Sequence, residues 1–127
     1  MSTLAVLIDT RKLLSKENGW TQDVYARDAQ GQQVDEDHPS ATCFCTVGAL
    51  RRASNSNNSY NNSNYPTYVD ARSAVQTVLH NRADNARRQG TKARALNIPS
   101  FNDHPDTTHA DILELLDDAI TLVKAKG

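Results

Sequence analysis

Cys43 and Cys45 are the residues best equipped for covalent chemistry in this chain, which has no other thiol. Near a helix start the positive end of the backbone dipole favours thiolate, so Cys45 is a candidate nucleophile with a lowered pKa. His104 or His109 would then serve as general base, with Asn102 or Asp103 orienting the imidazole. The competing reading makes Cys43 a small buried hydrophobe and Cys45 an inert neighbour. It is favoured because no nucleophile-type motif surrounds either residue. The same cysteines with two of His38, His104 and His109 would total the four ligands that zinc prefers. Zinc sites, however, usually separate paired cysteines by two to four residues. Here one residue separates them, and His38 and His104 each precede a proline. Neither a metal nor a cofactor is expected, and the sequence favours a protein that is not an enzyme. The short spacing also argues against a structural disulfide.

Binding chemistry has more to draw on. Between Ala71 and Arg94 lie Arg72, Arg82, Arg87, Arg88, Lys92 and Arg94 against the single acid Asp84. Such polarity marks candidate partner or phosphate surfaces, and Trp20 or Tyr68 would be available to stack a base. No nucleic-acid recognition motif accompanies the arginines. A solvated helix face that also pairs with acidic neighbours is the favoured reading of the cluster, with binding of nucleic acid or a nucleotide phosphate the lesser one. The complementary acids Asp103, Asp106, Asp111, Glu114, Asp117 and Asp118 could mimic nucleic acid, but capping and turn chemistry account for the first three. Asn102 and Asp103 have the residue types of a tight polar turn that seats Phe101 in the core. The functional alternative is a polar pocket wall built from Asn102, Asp103 and Thr108.

The elements that must position these groups are read from periodicity. Thr3 to about Asn18 predicts a first helix, with Leu4, Leu7, Ile8 and Leu14 on one face and Gly19 as a left-handed stop before Trp20. Val24 to Val34 suggests a short hairpin around Gly31. Ala41 to Ala53 reads as a second helix with an extended start, in which Cys43, Val47 and Leu50 would share a face. Gly48 costs such a helix about 1 kcal/mol, and close approach of another backbone would be a reason to keep it. Ser54 to Asn64 is an Asn/Ser-rich tract expected to be a mobile loop, with Tyr60 and Tyr65 as its possible anchors. Thr67 and Asp70 suggest the start of a third helix that ends at Gly90. An irregular connection from Thr91 to Ser100 should plug Leu96 and Ile98 into the core. Thr108 and Asp111 start the final helix. The expectation is a mainly α single domain of about four helices, spanning 1–127, with at most a short β-hairpin.

Composition limits the function classes. The chain has 127 residues, a formal net charge of −1 and 38% apolar residues, enough for one modest core and no global field. No apolar run of about 18 residues predicts a membrane span, and the first residues lack the basic segment of a signal peptide. A cytoplasmic protein is expected. Homo-oligomerisation stays open.

Three segments carry a resemblance. They are Asn18-Gly-Trp20, the run Cys43-Phe-Cys-Thr-Val-Gly-Ala-Leu-Arg-Arg-Ala53, and Phe101-Asn-Asp followed by Thr108-His-Ala-Asp-Ile112 and Leu116-Asp-Asp-Ala-Ile120. In order and spacing they resemble an uncharacterised domain family of small phage and bacterial proteins. The likeness spans most of the chain outside Ser54 to Asn64. It departs at Phe101, where the family commonly carries Trp, and in the Asn-rich insertion. The resemblance carries over no catalytic or binding residue. What it implies is a setting: a phage or prophage accessory protein in the host cytoplasm. Such a protein would bind and block a host protein, with anti-defence inhibition and host takeover among the outcomes. The alternative is a sponge for a nucleotide signal or another phosphate ligand.

Overall fold

The computed structural model describes residues 2–56 and 62–126. Among these described residues five helices surround one core: α1 (Thr3–Ser15), α2 (Thr46–Ser54), α3 (Tyr65–Arg88), α4 (Ile98–Asp103) and α5 (His109–Lys126). Three two-residue strands, β1 (Ala26–Arg27), β2 (Gln33–Val34) and β3 (Cys43–Phe44), form an antiparallel sheet in the order β2-β1-β3. Ala26 pairs with Val34 on one side and Phe44 on the other. This is the expected mainly α domain, with α4 and β3 added to what the periodicity indicated.

The core is built from helix faces. Val6, Leu7 and Leu14 of α1 meet Leu50, Tyr68, Val75, Leu79, Ile112, Leu115 and Leu116, all buried. Apolar area removed from water drives this packing. Ser2 caps α1 by accepting from the Ala5 N–H at 3.0 Å, and buried Thr10 satisfies itself by donating to the Val6 carbonyl.

Several boundaries differ from expectation, each for a local reason. α1 stops at Ser15, and the left-handed residue is Asn18, with φ of 57°, not Gly19. Gly19 is needed for space: a Cβ there would lie 2.7 Å from the Leu13 carbonyl oxygen. Cys43 and Phe44 are strand, not helix, because Phe44 is paired on both sides. Its N–H donates to the Gly19 carbonyl and its own carbonyl accepts from Thr21. α3 starts two residues before Thr67, with Pro66 in its first turn, where a missing N–H is harmless. Thr67 and Asp70 are therefore not its cap. Ile98 is buried as expected, but Leu96 is 61% exposed. Its carbonyl instead accepts from Gln76. Ile98 opens the unforeseen α4, capped by Asn97, which accepts from the Ser100 N–H.

The neck of the Asn/Ser tract is fixed at both sides. Asn55 ends α2 in the left-handed conformation, and its carbonyl accepts from the side chains of Asn62 and Asn64. Residues 57–61, including the suggested anchor Tyr60, lie outside the described residues, as does the mobility expected of them.

Thr108 and Asp111 form a reciprocal box at the start of α5. The Asp111 N–H donates to Thr108 Oγ1 at 3.1 Å, and the Thr108 N–H donates to Asp111 Oδ2 at 3.0 Å. The Thr108 backbone bond and the Arg94 guanidinium hold the Asp111 carboxyl below the usual carboxylate range. A depressed folded-state pKa stabilises the fold above the unfolded-state value and is lost as pH falls through the folded-state value. Thr108→Ala is expected to cost about 1 kcal/mol at neutral pH in chemical denaturation. The deficit of Asp111→Asn should shrink as the solution is acidified below pH 4, roughly the ordinary carboxyl pKa. A deficit independent of pH would contradict the box.

Candidate ligand-binding cleft

Asn102 is the polar centre of the molecule. It is 2% exposed and its side chain makes five hydrogen bonds. Its Oδ1 accepts from the Trp20 indole at 2.9 Å, the Thr46 N–H at 2.9 Å and the Thr46 hydroxyl at 2.8 Å. Its Nδ2 donates to the Thr21 carbonyl and to Asp103 Oδ1. Asp103 Oδ1 also accepts from the Asp23 N–H, and Gln22 donates to the Asn102 and His104 carbonyls. The end of α4 thus ties the segment 20–23 to the first turn of α2. The first N–H groups of a helix lack intrahelical partners, and Asn102 supplies one for Thr46. Cys45 supplies another, its Sγ accepting from the Gly48 N–H at 3.2 Å.

Beside this hub opens a cavity of about 300 Å³ lined by Asp23, Tyr25, Cys45, Val47, Asn102 and Asp103 among others. Asn102 and Asp103 line it from the last turn of α4 and not from the tight turn expected of them, because the helix opened by Ile98 runs on through both. Thr108 is the α5 cap and does not line it. The sequence reading gave Cys45 a lowered pKa, and the structure reverses that direction. Burial pushes the thiol up, outweighing the hydrogen bonds from the Gly48 and Val47 N–H groups. The histidines proposed as its base are engaged elsewhere. His109 stacks on Trp20 at 6.1 Å and its Nε2 contacts the Leu14 carbonyl, while His104 Nδ1 accepts from the Asp106 N–H. No histidine lines the cavity among the described residues. No group of three metal-ligating side chains occurs among them either. In native protein, alkylation should modify half-buried Cys43 first and reach Cys45 only as the fold opens. Mass spectrometry after short iodoacetamide exposure checks this order, and prompt modification of Cys45 would revive a thiolate mechanism.

Tyr25, Val47 and Pro99 also line a second cavity of about 430 Å³, so the two are lobes of one cleft. Its far wall holds Arg51, Tyr68, Arg72, Ser73 and Gln76. Arg51 lies in the last turn of α2 with its side chain 12% exposed. Its guanidinium sits 4.2 Å over the Tyr25 ring, on the wall it shares with Tyr68. Among the described residues the one carboxylate within 4 Å of it is Glu36 at 3.7 Å, and Arg51 Nε has no partner. Arg72 reaches Tyr68 from α3, with Nη1 3.5 Å from the hydroxyl. It has no carboxylate within ion-pair distance among the described residues.

The other sequence candidates scatter. Arg82 pairs with Asp118 at 2.7 Å and Arg87 with Asp84, while Arg88 lies exposed in the last turn of α3. Trp20 is fastened to Asn102 and His109 and lines neither lobe, whereas Tyr68 and Arg72 share one. Arg51 and Tyr25 were missed from sequence. Arg51 stands in the Gly-Ala-Leu-Arg-Arg run that carries the family resemblance, the one signal that could have drawn attention to it.

What these features define is a small, mainly helical domain with a two-lobed cleft propped open by a buried asparagine. The chain belongs to DUF6197, a family of unknown function whose model matches residues 1–122. No curated protein and no solved structure matches the chain. No helix among the described residues is long and apolar enough to cross a membrane.

Proposed function

We propose that this is a non-enzymatic binding protein that blocks a host factor in the cytoplasm, as a phage or prophage accessory protein directed against host defence. The observation that carries the binding reading is the cleft itself. Tyr25 is 44% exposed at the junction of its lobes, beside Val47 and Pro99. An accessible aromatic flanked by arginine is the composition of interaction hot spots. Arg82 and Arg87, by contrast, already face carboxylates, which makes the α3 surface the weaker partner site.

Capture from host lysate with immobilised protein tests the reading. A partner retained by the natural chain and by Arg88→Glu, but lost with Tyr25→Ala, supports it. A partner held equally by Tyr25→Ala, or none recovered, defeats it. The second reading, a phosphate-ligand protein, is favoured by Arg72, which has no carboxylate partner among the described residues and lies in the same lobe as Arg51.

A further inference from the structure

We infer that the Arg51–Arg72–Tyr68 lobe is a recognition site for the phosphodiester of a nucleotide-class ligand, whose planar base lies along Tyr25. The inference rests on the cleft being the recognition surface and names what one lobe takes.

Charge comes first. Two guanidiniums line this lobe, and among the described residues the one carboxylate within 4 Å of either, Glu36, is beyond hydrogen-bond reach of Arg51 at 3.7 Å. Within this lobe one positive charge is left over, matched by a monoanion, while the Asp23 and Asp103 carboxylates stand in the other lobe. The neighbouring cavity around Phe101 shows the alternative: there Arg82 and Arg94 are met by Asp118 and Asp111 at 2.7 and 2.8 Å. Donors come second. Arg51 Nε is buried without an acceptor, and buried polar groups normally have partners. Shape comes third. The two guanidiniums enter the lobe from different helices, Arg51 from α2 and Arg72 from α3, the latter 3.5 Å from the Tyr68 hydroxyl. A planar carboxylate suits a single arginine fork, whereas tetrahedral oxygens serve donors arriving from two directions. The volume of about 430 Å³ is in the range of small-molecule sites. In the adjoining lobe, the Asp23 and Asp103 carboxylates suit the amino edge of a base.

Calorimetric titration with cyclic AMP, cyclic GMP, adenosine and inorganic phosphate provides the test. At least one cyclic nucleotide should bind, with adenosine and inorganic phosphate each about tenfold or more weaker. Arg72→Gln, confirmed folded by Trp20 fluorescence, should weaken that nucleotide about tenfold and leave adenosine unchanged. Tyr25→Ala should weaken the nucleotide but not inorganic phosphate. No binding of either cyclic nucleotide at millimolar concentration, undiminished affinity in Arg72→Gln, or equal affinity for adenosine would each overturn the assignment. If the nucleotides fail while lysate capture still depends on Tyr25, the anion site falls and the cleft reading stands.

Discussion

Asn102→Ala is expected to remove about 4 kcal/mol of folding stability, since each buried polar group stripped of its partner costs roughly 1–3 kcal/mol. The substitution strands the Trp20 indole, the Thr46 N–H and hydroxyl, and the Thr21 carbonyl together. Thr46 is fully buried. Against a typical total of about 5–15 kcal/mol, such a loss is severe. Chemical denaturation followed by the fluorescence of the sole tryptophan reads it directly. A loss below about 1 kcal/mol would show that water replaces the hub. Asn102→Asp separates acceptor from donor function. It keeps the oxygen but places a carboxyl in a buried site beside Asp103, which raises the folded-state pKa of the introduced group. The variant should therefore be most stable below the unfolded-state pKa and lose stability as pH rises toward the folded-state value.

The second large effect belongs to Gly48. A Cβ there would lie 2.1 Å from the Tyr25 carbonyl oxygen and 2.9 Å from its carbon. In an ordinary helix Gly→Ala gains about 1 kcal/mol. Here overpacking against backbone costs up to about 3 kcal/mol, and the clash wins. To relieve it, the segment entering β1 must move off α2. That breaks the bond from the Cys45 N–H to the Tyr25 carbonyl and displaces Tyr25 from both lobes. Gly48→Ala should lower thermal stability and abolish Tyr25-dependent capture in the same variant. An unchanged or raised melting temperature would contradict the packing.

The sequence made the local devices legible. The Thr108–Asp111 box follows from residue types three apart, the hairpin turn from Gly31, and the demand for a close backbone at Gly48 from the cost of glycine in a helix. What stayed hidden was non-local. Nothing near Gly48 names Tyr25 as the approaching backbone. Nothing near Asn102 announces that its partners lie more than fifty residues away, at Trp20, Thr21 and Thr46. The Cys43–Phe44 strand was obscured for the same reason, because pairing with Gly19, Thr21 and Arg27 outranked helical continuation. The arginines of α3 looked like one surface in sequence. The fold separates them by partner: Arg82 to α5, Arg87 to its own helix, Arg72 to the cleft.

The fastening of Asn55 to Asn62 and Asn64 holds the two ends of the intervening tract together. Its closing distance is set by side-chain bonds at the neck, and loop-closure entropy grows only by about 0.6 kcal/mol per doubling of length. Foreign sequence spliced between Ser56 and Asn62 would leave α2 and α3 where they are. That position is accordingly the natural port for grafting a reporter or affinity handle into this protein, with both chain ends and the cleft left untouched.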